Sequence, residues 1–189
     1  MAEEGVAEPR HVSQPDLSWL WHLEPMPDWP GKLLLSMLVA LAACHGARAE
    51  APLAPDFALR ATDGYNYRLS EYRGEVVALV FWASWCGGCR RELERLQQLS
   101  DVYRDAGLRV IAVSVDERPE AARSIAAAAG VGYPVLLDTG KSVARAYDPP
   151  DLPATWLIDR SGRLRFAQRG ADSRTDGELL AELRALLDE

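Results

Sequence analysis

Cysteine is scarce in this chain: its 189 residues hold three, Cys44, Cys86 and Cys89. A small secreted scaffold stapled by disulfides needs more of them in a shorter chain. Histidine is equally scarce, and His11, His22 and His45 all lie upstream of the folded region, so the domain lacks donors for a four-ligand zinc site. Charge of one sign never accumulates into a block. The net charge is −7, from 21 basic and 28 acidic residues, which leaves no basic face for a nucleic-acid partner; none is expected. No apolar stretch reaches the roughly 18 residues of a membrane-spanning helix. Leu33–Ala43, interrupted only by Ser36, comes nearest. From Leu33 to Cys44 a helix would measure about 18 Å, against roughly 30 Å of bilayer hydrocarbon. Repeats and low-complexity segments are also missing. What remains is an ordinary composition, 48% hydrophobic and 26% charged, that fits one domain with a modest extension.

The short apolar run has the length of a signal-peptide core. Two processing routes compete there. Ala47-Arg48-Ala49 offers small residues for cleavage before Glu50, whereas Leu41-Ala42-Ala43-Cys44 resembles a bacterial lipobox, with Cys44 lipidated as the mature N-terminus. The chain therefore divides into an N-terminal extension at 1–31, whose translation start is Met1 or Met26, a signal peptide or lipoprotein signal at 32–49, a linker at 50–54 and a domain at 55–189.

Within that domain strand and helix patterns alternate. Phe57–Arg60 and Tyr65–Leu69 read as strands around the turn Thr62-Asp63-Gly64, and Ser70 is placed to cap a brief helical turn through Tyr72. Val76–Trp82 is a continuous apolar run, as a strand covered on both faces requires. Cys86–Ala106 carries Leu93, Leu96, Leu99 and Tyr103 at helical spacing, with Gly107 suited to its C-terminal cap. Val110–Val115 reads as a strand, Pro119 to Gly130 as a helix, Val135–Asp138 as a strand and Lys141–Tyr147 as a helix. Strands at Trp156–Asp159 and Leu164–Gln168 flank a turn at Arg160-Ser161-Gly162, and Thr175–Leu187 closes the chain as a helix. The order β-β-β-α-β-α-β-α-β-β-α is an α/β sheet ending in an antiparallel hairpin.

Two of the three cysteines stand where the buried strand passes into a helix. At a helix N-terminus, unsatisfied N–H groups and the positive end of the dipole favour a thiolate. Dithiol motifs of this kind lower the thiol pKa from about 8.5, in some cases to about 7 or below. Cys86 is thus the candidate attacking thiol, and Cys89, one turn later, the resolving one. Gly87 and Gly88 leave no side chain to obstruct a docking peptide. The competing readings are weaker. A disulfide closing so short a loop is a poor staple. Metal binding lacks further ligands, and haem attachment needs a histidine where Arg90 stands. Glu92, three residues after Cys89, shares its helix face and can exchange protons with a thiol, although an acid in a first turn also serves the dipole alone.

Phe81-Trp82-Ala83-Ser84-Trp85-Cys86-Gly87-Gly88-Cys89 resembles the active-site segment of thioredoxins, and more narrowly that of the extracytoplasmic TlpA/ResA-like group. Pro55-Asp56-Phe57, Tyr133-Pro134-Val135-Leu136-Leu137-Asp138 and Leu152-Pro153-Ala154-Thr155-Trp156-Leu157-Ile158-Asp159 extend the resemblance over roughly residues 55–187. It implies a thioredoxin-like fold, a central mixed sheet flanked by helices with an extra N-terminal β-hairpin. It also implies a cis Leu152–Pro153 bond near Cys86, in a loop whose backbone pairs with substrate, and a glutamate role for Glu92. Trp85 is expected to cover Cys86, and Trp82 to wall the site or fill the core. Two departures stand out. Thioredoxins carry a buried aspartate six residues before the first active cysteine, where this chain has Val80, and Gly88 replaces a common proline.

The function these readings imply is an extracytoplasmic thiol–disulfide oxidoreductase, periplasmic or anchored by lipidation, that reduces protein disulfides, with cytochrome c maturation as one setting. No cofactor is expected beyond the Cys86–Cys89 disulfide. A membrane thiol electron donor is the implied partner, with Trp85, Gly87, Gly88, Leu152 and Pro153 contacting substrate and a membrane tether at Cys44. The rival readings are a disulfide oxidase or isomerase, a thiol peroxidase, and a Cu(I)-binding redox module.

Overall fold

A computed structural model describes residues 50–170 and 173–189. The extension at 1–31 and the signal segment at 32–49, with Cys44, lie outside the described residues. The elements are β1 (Ala58–Arg60), β2 (Asn66–Arg68), β3 (Val76–Trp82), α1 (Cys89–Tyr103), β4 (Leu108–Ser114), α2 (Pro119–Ala128), β5 (Val135–Leu137), α3 (Ser142–Tyr147), β6 (Ala154–Ile158), β7 (Leu164–Arg169) and α4 (Ser173–Asp188). Their order is the one the residue pattern predicts. Five strands form a mixed sheet in the order β5-β4-β3-β6-β7, with β3, β4 and β5 parallel and β6 and β7 antiparallel to their neighbours. The β1–β2 hairpin stands apart and touches the sheet edge through an Ala61–Leu136 bridge. This is the thioredoxin-like architecture with its additional hairpin.

The sheet is covered on both faces, which is why β3 is apolar at every position. All seven of its residues are buried. Alternate side chains point to opposite faces of a strand. Val76, Ala78, Val80 and Trp82 join Leu93 and Leu96 of α1 with Leu179, Leu183 and Leu186 of α4. Val77, Leu79 and Phe81 join Phe57, Leu69, Tyr147 and Trp156 on the other side. There the Phe81 ring lies 5.3 Å from that of Tyr147 and 5.2 Å from that of Trp156, centroid to centroid. No helix among the described residues is long and apolar enough to cross a membrane.

Two local expectations change. The first long helix begins at Cys89 rather than Cys86 and ends at Tyr103, followed by a 3₁₀ turn at Arg104–Ala106 and by Gly107 at φ 101°. Gly87 and Gly88 carry the largest entropic cost of entering a helix, so the chain stays in a loop until Cys89. Ser70 does not cap the turn at Leu69–Tyr72; its N–H and hydroxyl both donate to Asp56, at 2.9 and 3.0 Å. Residues 51–54, read as linker, run beside the β6–β7 turn. Leu53 bridges Arg163, Ala54 N–H donates to the Gly162 carbonyl, and Leu164 N–H donates to that of Pro52.

Candidate active site at the carboxyl edge of the sheet

Strand register brings the site together. Trp82 ends β3 opposite Ser114, which ends β4, and Phe81 lies opposite Ala154, which begins β6. Three loops therefore leave the sheet at one edge: 83–88 with the first cysteine, 115–118, and 148–153 with Pro153. In open α/β sheets this carboxyl edge is where ligands bind.

In the first loop Cys86 N–H donates to the Ala83 carbonyl at 3.2 Å, and Cys89 N–H donates to that of Cys86 at 3.3 Å. The two cysteines form a disulfide with their Cα atoms 5.4 Å apart. Burial separates their roles. Cys86 is half-buried, one turn ahead of α1, whereas Cys89 is 1% exposed and belongs to the core. A nucleophile from outside can reach the first sulfur and not the second. Gly87 has open space where a Cβ would stand. Trp85 is 72% exposed and stands beside an open polar hollow of about 360 Å³ lined by Ser84, Arg118 and Lys141. Trp82 is fully buried and belongs to the core.

The Leu152–Pro153 bond is cis, as the resemblance implied. Pro153 is buried, and its carbonyl accepts from Gly170 N–H at 2.9 Å. Leu152 is half-buried and, like Cys86, packs against the cores of both sheet faces, which places both residues at the rim where those cores meet.

Glu92 is 4% exposed and turns inward on the same helix face as Cys89. Arg95 holds it by both oxygens, through Nη2 to Oε1 and through Nε to Oε2, the latter at 2.9 Å. Thr155 Oγ1 donates to Oε1 at 3.1 Å, and Arg95 Nη2 reaches Gln168 Oε1 at 3.5 Å. Thr155 stands between Val80 and Gln168 in the sheet register, so these three form one row beneath the Glu92–Arg95 pair. Tyr133 donates its hydroxyl to the Leu93 carbonyl at 2.9 Å. Burial, and then the Glu92 charge, push the Tyr133 phenol well above its ordinary range.

The residues read as site candidates are thus gathered at one edge, with Cys86, Gly87, Gly88 and Trp85 in one loop, Leu152 and Pro153 in the facing loop, and Cys89 and Glu92 beneath. Two groups of residues were not foreseen. Asp116, 5% exposed, accepts from Ser84 N–H at 2.9 Å, from Ser84 Oγ at 2.7 Å and from Ser114 Oγ at 2.8 Å, and so ties the cysteine loop to the end of β4. Its signal was a carboxylate directly after an apolar strand. Arg95, Thr155 and Gln168 form the second group, and only the i, i+3 spacing of Glu92 and Arg95 announced it.

A model of the AhpC/TSA family matches residues 36–167. The thiol-disulfide oxidoreductase ResA of Geobacillus kaustophilus is 36% identical over 125 residues, covering 66% of this chain and 72% of that one. ResA of Bacillus subtilis is 36% identical over 111 residues, covering 59% and 62%. Among solved structures, one from Chlorobium tepidum described as a thiol:disulfide interchange protein DsbE superposes with a TM-score of 0.70 at 33% identity, over 72% of this chain and 96% of that one.

Proposed function

The chain belongs to the AhpC/TSA family and is a thiol–disulfide oxidoreductase, and from that premise we propose that it reduces protein disulfides outside the cytoplasm by dithiol exchange. The observation that carries this reading is the asymmetry of the cysteine pair, one sulfur at the surface and its partner in the core. In the reduced enzyme the Cys86 thiolate attacks one sulfur of a substrate disulfide. An enzyme–substrate S–S bond forms and the other substrate sulfur leaves as thiolate. Cys89 gives up its proton and attacks the Cys86 sulfur, the intermolecular bond breaks, and the Cys86–Cys89 disulfide remains. Two electrons have passed to the substrate, and a membrane dithiol donor returns them.

Docking falls to the Leu152 backbone on one side and to Trp85, Gly87 and Gly88 on the other, while the Pro153 carbonyl already accepts from Gly170 N–H. Glu92 is the proton acceptor for Cys89. The extracytoplasmic setting and a role in cytochrome c maturation rest on the signal-like segment and on the likeness to ResA. Cys44 is the tether in the lipidated alternative.

The test uses substrate trapping. Cys86→Ser abolishes insulin reduction by dithiothreitol, whereas Cys89→Ser accumulates mixed disulfides whose partners name the substrate. Full multi-turnover activity in Cys89→Ser, or rapid peroxide consumption in its place, overturns the two-cysteine mechanism.

A further inference from the structure

A carboxylate as buried as Glu92 needs a compensating charge and hydrogen-bond donors to offset its lost hydration. Arg95 provides the charge, and its side chain is 20% exposed against 4% for Glu92, so the guanidinium stands between that carboxylate and solvent. Each carboxylate oxygen accepts about two hydrogen bonds. Oε1 is filled, by Arg95 Nη2 and Thr155 Oγ1, while among the described residues Oε2 receives Arg95 Nε alone. The bidentate grip therefore fixes both the plane of the carboxylate and the oxygen that retains a lone pair.

We infer that Arg95 is a positioning residue for the resolving step. It holds Glu92 so that Oε2 takes the Cys89 proton, and its charge offsets Glu92 while a thiolate forms one turn away in the same buried pocket. The inference rests on the dithiol-exchange reading above. In the step itself the Cys89 S–H proton passes to Oε2, the sulfur forms its bond to Cys86, and the Cys86–substrate bond breaks, its electron pair leaving with the substrate sulfur. Without Arg95 the nascent thiolate faces an uncompensated carboxylate on its own helix face, or a carboxylate already protonated and unable to accept. Either way, Cys89 ionises at higher pH. Among the described residues, the groups that bear on Glu92 include Arg95 and Cys89 on α1, Thr155 on β6, Gln168 beyond it on β7, and Tyr133 ahead of β5.

Ellman's reagent reads the two steps separately on the reduced full chain. Cys86 attack releases the first thionitrobenzoate, and Cys89 attack on the resulting mixed disulfide releases the second. Arg95→Gln is expected to lower the ratio of second to first rate by roughly tenfold or more at neutral pH, a part of the about 10²–10⁴-fold that a positioned proton acceptor contributes, because Glu92 itself is retained. It also moves the midpoint of the second phase to higher pH. Arg95→Lys keeps the charge without the two-point grip and gives an intermediate rate, and it carries the test if the glutamine variant does not fold. In a Glu92→Gln background, Arg95→Gln adds no further pH displacement. A second phase with the wild-type midpoint in both Arg95 variants, or one that falls in parallel with the first, overturns the inference. A wild-type chain that releases no second thionitrobenzoate overturns the exchange reading instead, which separates the two failures.

Discussion

Replacing Asp116 by alanine tests whether the cysteine loop is held in place from the neighbouring strand. The carboxylate accepts three hydrogen bonds, from the Ser84 amide, the Ser84 hydroxyl and the Ser114 hydroxyl. Hydrogen bonds to charged groups contribute about 1.5–3 kcal/mol each, and a buried donor left unmade bears its full desolvation penalty. The three donors do not lose equally. Ser114 is fully buried and cannot rehydrate, whereas Ser84 lines the open hollow beside Trp85, where water can substitute. Counting the Ser114 bond in full and the Ser84 bonds in part gives about 3 kcal/mol, or roughly 10 °C in Tm for a domain of this size. Asp116→Asn keeps one acceptor oxygen and is expected to cost about half as much. Urea unfolding of the three proteins gives the stabilities. Insulin reduction should fall several-fold in the alanine variant, because Cys86 hangs from the Ala83–Ser84 segment that Asp116 fixes. An alanine variant with the wild-type urea midpoint, or an asparagine variant no better than alanine, refutes the assigned role.

Acid should unfold the domain through two other carboxylates. Burial opposes ionisation of Asp56 and Asp159, but hydrogen bonds from Ser70 and Arg68 to the first, and from Ser161, Arg163 and Arg165 to the second, prevail and hold both below the usual carboxylate range. A lowered folded pKa means the unfolded chain takes up protons more readily, so this stabilisation is complete above pH of about 4–5 and is lost as pH falls through the folded values. Thermal melts should be flat from neutral pH down to that point and drop below it, less steeply in Asp159→Asn; an equal slope in that variant contradicts the assignment. At the opposite end of the sheet, Gly162 sits at φ 81° and an added Cβ would clash with the Arg73 guanidinium. Gly162→Ala should therefore cost about 2–3 kcal/mol, roughly 1–2 of it from the left-handed backbone and the rest from displacing Arg73. Gly64→Ala, at φ 92° with nothing within 4 Å, should show only the backbone part. Equal urea midpoints for the two variants would refute the Arg73 contribution.

The fold was legible because its strongest signals are periodic. Val76–Trp82 is apolar at consecutive positions, and α1 repeats Leu93, Leu96 and Leu99 at helical spacing; both patterns follow from which faces are buried. The cysteine pair was legible from its place between those two elements. The start of α1 was harder to read, because the apolar spacing of Leu93 and Leu96 continues back through Cys89 to Cys86 in the sequence, while Gly87 and Gly88 keep the chain out of the helix. The high exposure of Trp85 was not legible for another reason: which way a loop turns a side chain is set by backbone hydrogen bonds such as Cys86 N–H to Ala83. Long-range polar contacts left the faintest trace. Asp116 and Ser84 are 32 residues apart, and Arg95 and Gln168 are 73 apart, so their pairing is created by strand register.

That register also explains how the chain dispenses with a strand-borne acid at Val80. Val80 pairs with Thr155 across β3 and β6, and Thr155 pairs in turn with Gln168. The polar groups of this row thus lie one and two strands away from the position where thioredoxins carry aspartate. Glu92 reaches the row from above, on the hydroxyl of Thr155. Moving the acid from sheet to helix changes what fixes its distance to the resolving cysteine. A strand acid is positioned by packing of helix against sheet, which shifts when either surface is repacked. An acid three residues after Cys89 has its backbone placed by the helix itself, whose rise of about 1.5 Å per residue does not depend on the core beneath, and its carboxylate turned by Arg95 on the same helix. On the proposed role of Glu92, core substitutions under α1, such as Leu96→Met, should then lower the urea midpoint more than they lower the ratio of second to first thionitrobenzoate release.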